Sequence, residues 1–397
     1  MLFTTTHYFE MDEINFNGDI MKWRNIPSIP IERYIEFGVS GAAIDSHRMI
    51  VIERRKENAR GFLYDIREQK WMKLQIPPPQ LAIAAASIDG KLITLHAPHS
   101  RNETNEVHLM NIDDMTWREL PSAIHTRYDC ALVSHGRHVY AFGGFCSYYK
   151  DAQRTAERLN IDTLQWESLP DMPTARAHCT ASACQGKIII AGGYKKFSTP
   201  VAMDVVEVFD TRTMSYSIAP SMPIKCYACS SVSLGKHVIV TGGQIARGCT
   251  LGQTQVFDCE LQVWKVLPCL MNQRRAYHVS ALLRKNHLII AGGRKHIIKN
   301  LETAEKIVLP LSWSLKGQII ILRYLIEKDR TAYYDATKVK DNLMRAMKSG
   351  CYHSNACEKI DSDEEDLDQS HFAVSLLVSK DFPFDVFKLS LNFLQNH

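Results

Sequence analysis

Four times in this 397-residue chain an apolar run ends in a diglycine: VYAFGG at Gly143 and Gly144, IIIAGG at Gly192 and Gly193, VIVTGG at Gly242 and Gly243, and LIIAGG at Gly292 and Gly293. The steps between them are 49, 50 and 50 residues. A second ladder keeps the same step through Trp23, Trp71, Trp117, Trp166, Tyr216, Trp264 and Trp313, at intervals of 48, 46, 49, 50, 48 and 49 residues. A third marker is an Asp or Asn six residues before the ladder aromatic, at Asn17, Asp65, Asn111, Asn160, Asp210 and Asp258; only Trp313 lacks it, with Ile307 in that place. A fixed period of this length means one supersecondary unit repeated, each copy burying its faces against its neighbours.

Each repeat reads as four short strands separated by turn residues. In the fourth, residues 177–183 form a first strand, 186–187 a turn, 188–191 a strand apolar on both faces, 204–209 a third strand with period-two alternation, and 214–218 a fourth. One such sheet cannot bury both faces alone, so the sheets must pack on one another, and radial repetition leaves few exposed edges. The expected fold is therefore an all-β propeller. Six complete four-stranded repeats run over about 24–71, 72–117, 118–166, 167–216, 217–264 and 265–313, inside a propeller spanning 10–340. The first two lack the diglycine after Arg48–Glu53 and Lys91–His96. Fourth strands number seven from Trp23 to Trp313, which leaves open a seventh blade shared between the termini, residues 16–23 joining 317–322 and 331–334.

With 45% hydrophobic and 23% charged residues the composition is that of a globular protein. The apolar runs are strand-length, far short of the roughly 20 residues that cross a bilayer, so no membrane span is expected. The first ten residues lack a basic region followed by an apolar stretch, which predicts no signal peptide and a cytoplasmic chain. Eleven cysteines, several in or beside strands (Cys130, Cys179, Cys184, Cys229), read as small apolar residues and not as a disulfide framework. A net charge of +4 without a dense basic block gives little reason to expect nucleic acid. Beyond residue 340 the pattern stops: 341–397 reads as a poorly structured tail whose acidic stretch 361–368, DSDEEDLD, stays solvated.

The chain resembles the Kelch repeat family, which has a diglycine after the second strand and a tryptophan before Leu-Pro. The segments TLQWESLPDMPTARAHCTASACQGKIIIAGG and LQVWKVLPCLMNQRRAYHVSALLRKNHLIIAGG carry the likeness. It is clear over 117–313 and fainter over 15–116. The resemblance implies that arginines at the start of the first strand line a partner-binding face. The matching positions are Arg127, Arg176 and Arg275, with Tyr128, Tyr227 and Tyr277 beside them and His178 facing the central opening. Arginine and tyrosine are enriched in interface hot spots, and three convergent guanidinium groups would select an acidic or phosphorylated protein segment. In animal adaptors of the family a dimerising domain precedes the propeller and recruits a ubiquitin ligase, which implies a binding module, scaffold or adaptor.

Catalytic motifs are few. Cys226 and Cys229 have metal-like spacing but no second pair, and strand geometry would turn them to opposite faces. Cys351, Cys357 and His353 form a still sparser set in the tail. Some Kelch-like propellers oxidise or isomerise sugars, so a sugar enzyme is the alternative. The chain shows no Gly-rich phosphate loop and no nucleophile elbow. No catalytic residue, metal or cofactor is assigned.

Overall fold

The computed structural model describes residues 22–30, 38–53, 60–75, 82–96, 105–146, 151–295 and 301–309. Lys22–Ile307 forms one compact unit. Among its described residues every regular element is a strand. β1 is Arg24–Ile26. The first blade follows as β2 (Val39–Ala43), β3 (Arg48–Glu53), β4 (Gly61–Asp65) and β5 (Lys70–Leu74). The second is β6 (Ala82–Ile88), β7 (Lys91–His96), β8 (Val107–Asn111) and β9 (Thr116–Leu120). The third is β10 (Ala131–His135), β11 (His138–Phe142), β12 (Ala156–Asn160) and β13 (Gln165–Leu169). The fourth is β14 (Thr180–Cys184), β15 (Lys187–Ala191), β16 (Val206–Asp210) and β17 (Ser215–Ala219). The fifth holds β18 (Ser230–Leu234) and β19 (His237–Thr241), then a small hairpin of β20 (Gln244–Ala246) and β21 (Cys249–Thr250), then β22 (Thr254–Asp258) and β23 (Val263–Val266). The sixth begins with β24 (Val279–Leu283), β25 (His287–Ala291) and β26 (Ala304–Val308).

The ring closes at six blades. The fourth strand of the sixth blade is β1, which pairs antiparallel with β26 in the register Arg24 to Lys306 and Ile26 to Ala304. The inner strands β2, β6, β10, β14, β18 and β24 touch in turn, and β24 meets β2 to complete the circle. A seventh blade is thereby overturned: Trp23 is the ladder aromatic of the sixth blade, so Trp23, Trp71, Trp117, Trp166, Tyr216 and Trp264 serve six blades. Trp313 and the strands expected at 317–322 and 331–334 lie outside the described residues, as does the tail.

Each marker has a mechanical job. The Asp or Asn before the ladder aromatic ends the third strand and accepts backbone N–H groups of the turn. Asp210 Oδ1, for example, takes the N–H of Arg212 at 2.9 Å and of Thr213 at 3.0 Å, a side-chain turn typical of these residues. The indole N–H reaches back one blade: Trp71 donates to Pro27 O at 2.8 Å, Trp166 to Pro121 O at 2.8 Å and Trp264 to Pro220 O at 2.8 Å. The diglycine stitches forward. Gly144, Gly193 and Gly243 donate to the carbonyls of Arg176, Cys226 and Arg275 in the next blade, each at 2.9 Å. Both glycines have positive φ, and a Cβ on Gly193 would sit 2.7 Å from Ala177 O, so no side chain fits there.

Candidate functional site

The inner strands are rich in serine and alanine because six of them converge on one axis. They surround a channel of about 360 Å³ lined by residues such as Ser40, Ala85, Ser134, Ala181, Ser231 and Ser280. Hydroxyls bridge neighbouring blades there: Ser231 Oγ lies 2.6 Å from Thr180 Oγ1 and 2.7 Å from Ser182 Oγ. One end of the ring carries the tight turns between first and second and between third and fourth strands. The other carries the longer connections, where the residue after each diglycine bridges the segment entering the inner strand, as in Tyr128 with Phe145, Ala177 with Tyr194 and Tyr227 with Gln244.

Arg127, Arg176 and Arg275 do not line that end. All three are 0% exposed. Arg127 Nε donates to Glu157 Oε1 at 2.6 Å, Arg176 Nη2 lies 3.0 Å from Glu207 Oε1, and Arg275 Nη2 lies 2.5 Å from Glu305 Oε1, with every one of these carboxylates buried. Each guanidinium also donates to two carbonyls of its own blade, for Arg176 those of Gly192 at 3.1 Å and Val205 at 2.9 Å. The expectation that they meet a partner is corrected on this geometry: each guanidinium is buried beside its own carboxylate, and its Nη1 is taken up by backbone carbonyls. In the fifth blade Cys226 stands in the arginine's place and Gln255 in the glutamate's, the amide oxygen accepting from Ile224 N at 2.8 Å.

The other expected residues do converge. Above the channel, His178 stacks on Tyr194 at 5.2 Å and meets Tyr277 edge-on at 5.3 Å; Tyr194 meets Tyr227 at 4.9 Å and Phe145 at 5.6 Å. Tyr128 packs against the same cluster. Tyr128, His178 and Tyr277 are half-buried, whereas Tyr194 and Tyr227 are buried, and loss of solvent pushes the phenols of Tyr194, Tyr227 and Tyr128 up. His178 Nε2 lies 3.2 Å from Asp129 Oδ2. Asp129, His178, Ala228 and Tyr277 occupy equivalent places and all have left-handed φ, between 51° and 55°. Their backbones form a belt around the axis: His178 N donates to Asp129 O, Ala228 N to His178 O, and Tyr277 N to Ala228 O, at 2.8, 2.8 and 2.9 Å. Such conformations cost roughly 1–3 kcal/mol each, and the belt holds them.

Tyr277 therefore takes the place of His178, not that of Tyr128 and Tyr227. Phe145, Tyr194 and Asp129 were not singled out from the sequence, although Phe145 and Tyr194 each directly follow a diglycine. The left-handed turn at Ala228 also overturns the expectation for Cys226 and Cys229: both side chains lie on the Gly243 side instead of facing apart, and the contact with Cys226, together with burial, pushes the Cys229 thiol up. Both are free thiols. Among the described residues no group of three or more His, Cys, Asp or Glu is arranged to hold a metal ion, and no helix is long and apolar enough to cross a membrane. Cys351, His353 and Cys357 lie outside the described residues.

Comparison with known proteins follows the same lines. Residues 129–303 match the KLHDC2/KLHL20/DRC7 Kelch-repeats domain. Kelch-like protein 38 of Rattus norvegicus is 22% identical over 256 residues, 62% of this chain and 42% of the relative. Kelch-like protein 23 of Pongo abelii is 24% identical over 188 residues, 47% of this chain and 32% of the relative. Acyl-CoA-binding domain-containing protein 4 of Arabidopsis thaliana is 21% identical over 230 residues, 56% and 28% of the two chains. The chain thus spans less than half the length of these relatives. Among solved structures, one described as the structure of YjhT superposes with a TM-score of 0.59 at 17% identity, covering 72% of this chain and 97% of that one, a likeness of fold alone.

Proposed function

We propose that this chain, a Kelch-repeat protein, is a protein-binding module that recognises its partner on the end of the propeller bearing the long connections. The observation that carries the reading is the convergence of Tyr128, His178, Tyr194, Tyr227 and Tyr277 from four blades onto one half-buried aromatic floor. Tyrosine offers large rigid contact area with a polar tip and loses little entropy on binding. The belt of backbone hydrogen bonds fixes the floor in advance, so binding proceeds with little rearrangement. A substrate-adaptor role in ubiquitin ligation, implied by the family resemblance, suits such rigid display. An acidic or phosphorylated partner segment remains part of the proposal, but its support moves away from the three buried arginines. The four residues after each diglycine carry Lys195, Lys196, Arg247, Arg294 and Lys295, and no carboxylate.

The test is affinity capture from cell extract with three folded forms of the chain: wild type, Tyr128→Ala with Tyr277→Ala, and Lys187→Glu at the opposite end. Proteins retained by the wild type and the Lys187 variant but lost from the tyrosine variant support the reading. Proteins lost only from the Lys187 variant would place the working surface at the other end.

A further inference from the structure

The tight-turn end of the propeller brings together two thiols from different blades. Cys184 closes β14 in the fourth blade and is 3% exposed, whereas Cys259 follows β22 in the fifth and is half-buried. Though 75 positions apart in the chain, both are drawn onto one turn. Cys184 Sγ donates to Gly235 O at 3.5 Å, and Cys259 N donates to the carbonyl of the adjoining Lys236 at 2.9 Å. The residues next to them join across the same seam, Gln185 Nε2 donating to Glu260 Oε1 at 2.9 Å. Both cysteines pack in the apolar cluster between these blades, and their side chains touch. That contact holds the Cys184 thiol below its ordinary value in spite of burial, and pushes Cys259 up. Asp258 and Glu260 oppose a thiolate at this place, but Lys236 Nζ lies 3.2 Å from a carboxylate oxygen of each. Elsewhere burial pushes Cys130 and Cys179 up to about 12. The thiolate is the reacting form of cysteine, so a contacting pair in which one sulfur carries charge and the other holds the proton differs from those inert thiols.

We propose that Cys184 and Cys259 are a redox-sensitive dithiol that hydrogen peroxide closes to a disulfide, clamping the fourth blade to the fifth. The oxidant enters on the side of the half-buried Cys259. A thiolate of the pair attacks one peroxide oxygen, the O–O bond breaks, and hydroxide leaves and takes up a proton to become water. The second thiol loses its proton and attacks the sulfenic sulfur. The S–S bond forms, the S–O bond breaks, and the departing hydroxide takes that proton as water. Both thiols are oxidised and the peroxide is reduced. The new bond makes a seam between blades covalent, and closing so long a loop narrows the unfolded ensemble. The clamp lies at the end away from the aromatic floor, so it stands or falls independently of partner binding there.

The test treats the reduced full chain with hydrogen peroxide, blocks remaining thiols by alkylation, and maps disulfides by mass spectrometry of a non-reducing digest. Cys184→Ser, Cys259→Ser and Cys226→Ser are treated alongside, and every sample is melted before and after oxidation. The expected product is a Cys184–Cys259 disulfide within one chain that dithiothreitol reverses. The oxidised wild type should melt roughly 5 °C or more above the reduced form. Cys184→Ser and Cys259→Ser should lose both the crosslink and the rise, whereas Cys226→Ser keeps them. Should either serine variant fail to fold, the disulfide map and melt of the wild type decide alone. Cys184 and Cys259 both alkylated after peroxide treatment would overturn the inference. So would a disulfide formed instead between Cys226 and Cys229, or between chains through the exposed Cys249. A crosslinked chain that melts no higher than the reduced one would overturn the clamp.

Discussion

At the scale of the residue, the buried arginines show what composition and position alone conceal. Arginine at the entry to an inner strand matches an interface hot spot in type, but each has its own carboxylate about thirty positions on: Glu157 after Arg127, Glu207 after Arg176, Glu305 after Arg275. Where the arginine becomes Cys226 the glutamate becomes Gln255, so charge is removed from both partners together. That pairing was legible in the sequence, as a correlation between repeats and not as a local motif. Removing one member of a buried pair strands the other, at about 3–5 kcal/mol. Arg176→Cys and Glu207→Gln should each destabilise by that order in urea unfolding, and the double variant should cost less than either single change. Additive losses would contradict the pairing.

Two buried histidines add a pH dependence. Burial, with the Arg275 charge, holds His278 down to about 3, and burial, with Lys306 and Arg284, holds His287 down to about 4, against an ordinary value of about 6.5. Below pH of about 6.5 the unfolded chain takes up these protons and the folded one does not, so stability is full above that value and falls as pH drops toward 4 and then 3. Thermal melts across this range should show the loss, and His278→Asn with His287→Asn should flatten it. An unchanged slope in the double variant would contradict the assignment.

At the scale of the element, four strands per repeat could be read from turn chemistry because each marker does a local job. In the fourth repeat the expected strands at 177–183, 188–191, 204–209 and 214–218 correspond to β14–β17 with ends displaced by up to three residues. The largest displacement comes where the left-handed His178 delays the start of β14. Glycines separate by what surrounds them. Gly193 has φ 95° and a crowded Cβ site, whereas Gly186 has φ 76° and nothing within 4 Å of its Cβ site. Gly186→Ala should cost only about 1 kcal/mol of left-handed strain. Gly193→Ala should cost several times more, because the blade-to-blade hydrogen bond from its N–H must also shift. Equal losses in thermal denaturation would refute the stitching role.

At the scale of the whole molecule, ring closure was the feature least visible in the sequence. Seven ladder aromatics suggested seven blades, and only the pairing of β1 with β26, some 280 residues apart, shows that Trp23 belongs to the last blade. Deleting residues 1–28 removes β1, the buried Trp23 and Ile26, and the Pro27 carbonyl that receives the Trp71 indole. A loss of about 3 kcal/mol or more is expected from the buried side chains alone. A deletion variant that melts with the full-length chain would refute six-bladed closure.

The aromatic end was legible in part. Tyrosine and histidine before the inner strands stood out by residue type, whereas Phe145 and Tyr194 reach the same floor from the far side of each diglycine, and the belt that unites them consists of backbone. Hydrogen–deuterium exchange on the full chain, free and bound to a partner captured from extract, tests the account most directly. Slowed exchange over 126–129, 176–179, 194–197, 244–250 and 275–278, with the opposite turns around Gly136, Gly186 and Gly235 unchanged, is the predicted result. Slowed exchange confined to those opposite turns would contradict it.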